Sequence, residues 1–296
     1  MSRLHGWLVV DKPAGPTSAG VVGQLKHALR AGGHGSPRIG HGGTLDPLAS
    51  GVLPIAVGEA TKLAGHVLTG PKAYRFTIRF GIATATDDAE GAITGTSPVR
   101  PAPAAIAAIL PRFTGAIRQR PPAFSALKVA GVRAHVRARA GEAPVLPERT
   151  VTIDRLALLA ADGESATLEV RCSKGTYVRS LARDIALALG TVGHVGALRR
   201  TAAGPFTEVQ ALPLDKAREL VHGPHPEQAL LPLAAGLDDI PVLAVTPAEA
   251  AHLKAGRRIA DPEARPGLHL ATLGPVPVAL VEVSHGDIRV VRGLNL

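Results

Sequence analysis

The chain of 296 residues contains a single cysteine, Cys172. That excludes an internal disulfide framework and any zinc or iron–sulfur site built from several cysteines. Aromatic residues amount to only 3%, so packing must rest on Ala, Val, Leu and Ile, and each aromatic invites its own explanation. No run of about 18 apolar residues occurs, so no spanning helix and no membrane association is expected. The apolar stretch Trp7–Val10 is too short for a secretory leader and runs straight into Asp11-Lys12. The Gly-rich segment 32–43 lacks Gly-Lys-Ser/Thr and is no phosphate-cradling P-loop, nor does it have the strand–turn–helix setting of a dinucleotide fingerprint. His34 and His41 have no partner at metal-binding spacing, and no metal is expected.

What is present is apolar material and positive charge. Hydrophobic residues make up 46%, enough for a real core, and the formal charge is +9. Between Pro111 and Gly141 lie seven Lys/Arg (Arg112, Arg118, Arg120, Lys128, Arg133, Arg137 and Arg139) and no acidic residue. Between Arg171 and Arg200 lie six more against Asp184 alone. Residues Val242–Leu296 hold six Lys/Arg against five Asp/Glu. The positive excess therefore sits in the first 200 or so residues, a pattern suited to neutralising phosphates, and nucleic acid is the expected partner class.

Local patterns give an outline. Gly6–Val10 reads as a short strand. Thr17-Ser18 caps a helix bearing Val21, Val22, Leu25 and Leu29 that ends near Gly32-Gly33. The stretch Ala31–Gly43 is expected to be a loop. Tyr74, Phe76, Ile78 and Phe80 alternate with Arg75, Thr77 and Arg79, the mark of a half-buried strand. Ala102–Leu110 reads as a helix stopped by Pro111. Ser165–Cys172 alternates as a second strand and leads through Ser173-Lys174-Gly175 into a helix carrying Leu181, Ile185 and Leu189, closed by Gly190. A Pro- and Gly-containing, linker-like stretch covers about Leu230–Pro241, and a domain boundary is expected near Asp239–Pro241. Beyond it, Thr246-Pro247-Ala248-Glu249 has the capping-box pattern, and Val276–Val283 and Ile288–Arg292 read as strands. This order of helices and alternating strands points to an α+β fold with a mixed, mainly antiparallel sheet and not to repeated βαβ units.

Asp46, in Thr44-Leu45-Asp46-Pro47-Leu48, carries two readings. Asp-Pro is ordinarily a turn device whose carboxylate bonds nearby backbone N–H groups. Flanked by Leu45, Leu48, Val52 and Leu53, it also fits a partly desolvated nucleophile or base. Spacing leaves both open. A small-substrate aspartate hydrolase is disfavoured, because glycosidases use two carboxylates and no second one is expected beside Asp46.

The segment Gly40–Pro54, with His41 and Asp46 inside it, resembles the catalytic motif of the TruB family of RNA pseudouridine synthases. Other blocks that resemble the family are Lys12–Ser18, Gly58–Lys62, Lys72-Ala73-Tyr74, Gln119–Lys128, Cys172–Arg179 and His194–Arg200. In order they cover residues 6 to about 204 and are jointly specific. Three positions depart from the family pattern. Gly42 stands where Thr is usual, Ala85 where an acidic residue is usual, and Phe124 where Tyr is usual.

The resemblance implies a catalytic domain of pseudouridine synthase type over residues 1–238, with its core motifs within 6–204, and a small β-rich PUA-like RNA-binding domain over 239–296. It implies that Asp46 is the nucleophile and that Arg179 pairs with it. Read from sequence alone, Arg179 fits equally a solvated helix face shared with Arg183. Tyr74 would stack on the target base, with its phenol assisting removal of the C5 proton, while Tyr177 and Leu198 line the pocket. His41 would act as an RNA wedge, and Lys62 and Lys128 would contact phosphates. The chain length resembles that of bacterial enzymes that make pseudouridine at position 55 of the tRNA T-loop. The implied enzyme is a cytoplasmic isomerase acting on the tRNA T-arm without cofactor, metal or protein partner. A non-catalytic RNA-binding or tRNA-folding protein of the same fold is the alternative.

Overall fold

The computed structural model describes residues 4–125, 127–129, 131–142 and 146–296. Ala126, inside the block Gln119–Lys128, lies outside the described residues. The chain divides into two compact units. One comprises Met1–Leu45, Val52–Leu68 and Ala203–Leu296, the other Asp46–Gly51 and Thr69–Ala202.

The chain begins with β1 (Gly6–Lys12), α1 (Ser18–Ala31), β2 (Ile39–His41), β3 (Ser50–Val57) and α2 (Ala64–Thr69). Thr17 caps α1, its hydroxyl accepting from Gly20 N at 2.9 Å, and Val21, Leu25, Ala28 and Leu29 form the buried face. The stretch expected to be a loop contains β2, which pairs antiparallel with β3 through Ile39–Val57, Gly40–Ala56 and His41–Ile55. Three residues with glycine at the centre carry no readable periodicity, so their strand state comes from the neighbour they pair with.

The second unit holds β4 (Lys72–Phe80), β5 (Ile82–Thr84), β6 (Ile93–Thr96), α3 (Pro103–Ile109), β7 (Gly115–Gln119), β8 (Lys128–Val129), β9 (Val132–Arg133), α4 (Ala134–Arg139), β10 (Arg149–Ala161), β11 (Ser165–Cys172), α5 (Val178–Ala188) and β12 (Gly193–Ala203). Within it the strand order is β12-β4-β11-β10-β7. The β4–β11, β11–β10 and β10–β7 pairs are antiparallel. At the β12 edge, Arg199 and Arg200 pair parallel with Ser50 and Gly51. Phe76, Ile78 and Phe80 of β4 and Ala166, Leu168, Val170 and Cys172 of β11 are buried, the period-two faces expected of them. Helix α5 buries Leu181, Ala182, Ile185 and Ala186 along one stripe.

The chain then runs through β13 (Phe206–Thr207), β14 (Leu212–Pro213), α6 (Leu214–His222), β15 (Val242–Ala244), α7 (Pro247–Lys254), β16 (Ile259–Ala260), β17 (Gly267–Leu273), β18 (Val276–Ser284) and β19 (Asp287–Gly293). The last strands form a five-stranded sheet in the order β15-β17-β18-β19-β16. Thr246 and Glu249 make a reciprocal capping box at α7. The stretch 230–241 is not a free linker. Leu231 bonds to Trp7 through both backbone groups, Trp7 Nε1 donates to Leu233 O at 3.1 Å, and Leu233 and Leu237 are buried. Trp7 stacks on Phe206 with ring centroids 5.3 Å apart, in one hydrophobic cluster with Val9, Leu63, Leu270, Leu280 and Leu294. Among the described residues no helix is long and apolar enough to cross a membrane.

Candidate active site

The site is assembled by the first turn of α5. Tyr177, its N-cap residue, has no side-chain cap of its own. Instead the buried amide of Gln119 grips the Tyr177 backbone: Oε1 accepts from the Tyr177 N–H at 2.7 Å and Nε2 donates to its carbonyl at 3.0 Å. Arg149 lies 4.6 Å over the Tyr177 ring and bonds to Gly175 O. This fixes where the next residues of the helix point.

Arg179, only 5% exposed, holds four groups at once. Its Nη2 lies 2.9 Å from Asp46 Oδ2 and donates to Phe124 O at 3.0 Å, while its Nη1 lies 3.2 Å from Asp88 Oδ2 and donates to Thr86 O at 3.0 Å. The reading of Arg179 as a solvated helix residue is therefore overturned. The expectation that no second carboxylate lies near Asp46 is also overturned, since Asp88 shares the same guanidinium. Asp88 is buried at 3% exposure and also accepts from Thr86 Oγ1 and from Glu90 N. Asp46 differs: 36% of its side chain is open. One cation thus joins a sequestered carboxylate to an accessible one, a chemical asymmetry that suits Asp46 for attack on an incoming molecule.

One turn on, Arg183 repeats the motif with Asp87 at 2.9 Å and Asp184 at 2.9 Å, and it donates to Arg120 O at 3.1 Å. Ser180 donates to the same carbonyl at 2.8 Å. Burial pushes the carboxyls of Asp87 and Asp184 above their ordinary range, with Arg183 pulling the other way. Asp87 adopts φ +59° and Val195 N donates to its carbonyl, so Asp87 and Asp88 point to different arginines. The cue in sequence was the doublet Asp87-Asp88, with nothing to tie it to a helix some 90 residues on.

Tyr74 stands on β4 opposite Val170. Burial raises its phenol above the ordinary range, only partly offset by the charge and hydrogen bond of Arg200, while Asp46 raises it further. Tyr74 is therefore protonated at neutral pH. Two residues earlier on the strand, Lys72 is buried, donates to Gly70 O at 2.6 Å and is pulled down to about 8 by burial and by Arg200. Cys172, opposite Lys72, is pushed up to about 11 by burial, an inert thiol. Leu198 is buried on β12. Sequence reasoning had assigned no part here to Asp88, Gln119, Arg149 or Lys72.

The remaining candidates stand on other elements. His41 sits in β2 of the other unit. Lys62, also in that unit, pairs with Glu59 at 2.6 Å and donates to Gly293 O at 2.9 Å. It borders a cavity of about 510 Å³ lined by His5, His34, Arg38 and Glu59 among others. Lys128 is exposed on the β8–β9 hairpin. Among the described residues no group of three or more His, Cys, Asp or Glu could hold a metal ion.

Comparison with known proteins agrees with this architecture. The model described as "TruB family pseudouridylate synthase (N terminal domain)" matches residues 30–178, and that of the "tRNA pseudouridylate synthase B C-terminal domain" matches 179–238. The protein named tRNA pseudouridine synthase B from Novosphingobium aromaticivorans is 53% identical over 99% of this chain and 98% of its own length. Its namesake from Zymomonas mobilis is 49% identical over 99% and 96%. Among solved structures, a Cbf5-Nop10-Gar1 complex contains a chain that is 28% identical, with TM-score 0.72, covering 94% of this chain and 78% of that one. An H/ACA RNP bound to a substrate RNA containing 2'-deoxyuridine matches in fold with TM-score 0.76 at 24% identity, over 98% and 85%. Fold and matches together define a pseudouridine synthase, and within that class the chain belongs to the TruB family.

Proposed function

We propose that this chain isomerises uridine 55 in the T-loop of tRNA to pseudouridine, with Asp46 as the nucleophile acting on a flipped-out uridine. The observation that carries the reading is the accessible Asp46 carboxylate held by the buried Arg179 at 2.9 Å. The N1–C1′ bond breaks, the base turns, C5 joins C1′, and the C5 proton leaves while N1 gains one. The product is an isomer, so the step requires no redox cofactor and no phosphate donor. The uridine must first leave its stack, because a stacked base hides the reacting atoms. Tyr74 offers the ring on which the base lies. As a protonated phenol it acts as a hydrogen-bond donor, and it cannot take the C5 proton without first losing its own.

In this reading Tyr177 and Leu198 wall the pocket, His41 enters the T-loop as a wedge, and Lys62 and Lys128 contact phosphates with the basic stretches around them. Residues 1–238 form the catalytic domain and 239–296 a PUA-like RNA-binding domain. The enzyme works in the cytoplasm on the T-arm without a protein partner. The test is release of tritium from C5-labelled uridine in an unmodified T-arm transcript, with the parent and Asp46→Asn side by side and the modified position mapped. Release by the parent alone, at the T-loop uridine, supports the assignment. Tight binding without release by the parent favours the non-catalytic RNA-binding or folding reading.

A further inference from the structure

The cavity of about 510 Å³ beside Lys62 is walled by residues of one unit, and Asp46, Tyr74 and Arg179 are not among them. Its wall is closely built. A Cβ on Gly58 would run into Leu4 O and His5 Nδ1. The loop 34–38 is pinned by His34 Nε2, which donates to Gly223 O at 2.7 Å, and by Arg30 Nε, which donates to Ser36 Oγ at 2.5 Å. Glu59, the one carboxylate among the described lining residues, is already engaged: its Oε2 pairs with Lys62 at 2.6 Å and accepts from Asn295 N at 2.9 Å. The Lys62 ammonium also donates to Gly293 O, which leaves one of its three hydrogens. His5 Nδ1 accepts from Glu59 N at 3.1 Å, so the ring carries its hydrogen on Nε2 and has a donor there. The Ser36 oxygen accepts from Arg30, and its own hydrogen remains to donate. Arg38 is exposed, and its guanidinium enters no hydrogen bond or ion pair among the described residues.

Two cations against one engaged carboxylate leave the wall positive, and the groups left over are donors. That set suits an anion, and the free fork of a guanidinium matches the oxygens of a phosphate. The volume is that of a small-molecule site and exceeds what a bare ion needs. The Asn295 side-chain amide, which makes no hydrogen bond among the described residues, supplies both donors and an acceptor, as the edge of a base requires. We infer that this cavity binds the phosphate of a nucleotide, with Arg38, His5 and Ser36 donating to its oxygens. The nucleotide is either free or one link of an RNA chain, and only the second source rests on the RNA-binding reading above.

Full-length parent, Arg38→Gln and Ser36→Ala are titrated by calorimetry with AMP and with adenosine. Arg38 and Ser36 are exposed, so neither replacement threatens the fold. AMP should bind the parent at least about tenfold tighter than adenosine, because only AMP carries the phosphate. Arg38→Gln should weaken AMP binding by about tenfold and Ser36→Ala by about threefold. Ser36→Ala changes no charge, so its loss reports a ligand seated in the cavity and not the surrounding field. AMP binding no tighter than adenosine, or an AMP affinity that either variant leaves unchanged, overturns the proposal. The titration is repeated with the parent saturated by T-arm transcript. Exclusion of AMP by the transcript makes the ligand a link of the RNA, and unchanged AMP binding makes it a free nucleotide. Tritium release by the same preparation tests the assigned reaction separately. A parent that binds AMP through Arg38 and makes no pseudouridine overturns that reaction and leaves the cavity standing. One that makes pseudouridine and does not bind AMP overturns the cavity alone.

Discussion

The Nη2 atom of Arg179 lies 2.9 Å from Asp46 Oδ2, although one residue stands in the first turn of a helix and the other in a loop 133 positions earlier in the chain. The pairing leaves Asp46 partly open while Arg179 stays buried. Asp46→Asn keeps the shape and removes the proposed nucleophile. Turnover should drop by about 10⁴-fold or more, with T-arm affinity within about threefold of the parent. Tritium release and a filter-binding titration on the same preparation check both halves, and substantial turnover by Asp46→Asn would sink the nucleophile role.

Arg179 also neutralises Asp88, which cannot reach water. Arg179→Ala should therefore cost stability as well as rate, about 3–5 kcal/mol, because it strands a buried carboxylate. Pairing Arg179→Met with Asp88→Asn should restore much of the stability and none of the turnover. Denaturant unfolding of the single and double variants separates the two effects. Equal stability of Arg179→Ala and the parent would contradict the buried network.

How much of this was legible depends on the range of the interactions. Strand Ser165–Cys172 could be read to the residue, because Ala166, Leu168, Val170 and Cys172 face one core and period two is a local signal. The Thr17 cap and the Thr246–Glu249 box are equally local. The strand Ile39–His41 was not legible, since Gly40 interrupts any alternation and pairing with Val57, Ala56 and Ile55 alone makes it a strand. The stretch 230–241 has a linker's composition, yet Leu233 and Leu237 fill space around Trp7, a partner more than 220 residues away. At the site, Asp46 and Arg179 emerged only through a family resemblance, because neither spacing nor charge distinguishes a turn aspartate from a nucleophile. Asp88 and Gln119 act through contacts made across the fold, and no short window of sequence holds both partners.

Lys72 gives a pH signature. Its amine sits near 8 in the folded protein against 10.5 ordinarily. Across that window the unfolded chain binds a proton that the native state does not, so this residue makes stability rise with pH from about 8 to about 10.5. Below pH 8 the buried ammonium is a net cost. Lys72→Met should therefore gain on the parent at about pH 7 and lose that advantage at about pH 9.5. Guanidinium unfolding at the two pH values tests this, and a pH-independent difference would refute the depressed pKa.

The exposed cations of the β8–β9 hairpin and α4 give a salt signature. Lys128, Arg133 and Arg139 face solvent. If they track phosphates, their joint replacement by Ala should flatten the dependence of log affinity on log salt by about two to three units, roughly 0.7–0.9 for each phosphate no longer neutralised. Affinity should fall most at low salt. Binding isotherms at several salt concentrations decide it, and an unchanged slope would place the RNA on another face.

Gly51 brings geometry and function together. At φ +102°, with Arg200 O 2.2 Å from where a Cβ would stand, it has two reasons to be glycine. Gly163, in the turn between β10 and β11, has φ +84° and nothing within 4 Å of the same point, so it isolates the backbone term. Gly163→Ala should cost about 1–2 kcal/mol, the ordinary penalty of an L side chain in the left-handed region, and leave turnover unchanged. Gly51→Ala adds a steric clash against a strand that cannot yield without releasing Arg200, and should cost at least about 3 kcal/mol. Because Gly51 ends the segment that begins at Asp46, the shift should also reach the carboxylate, lowering kcat in molecules that remain folded. Measuring stability and single-turnover rate for both variants separates the terms. Equal losses in the two would mean that the close strand approach contributes nothing to holding the site.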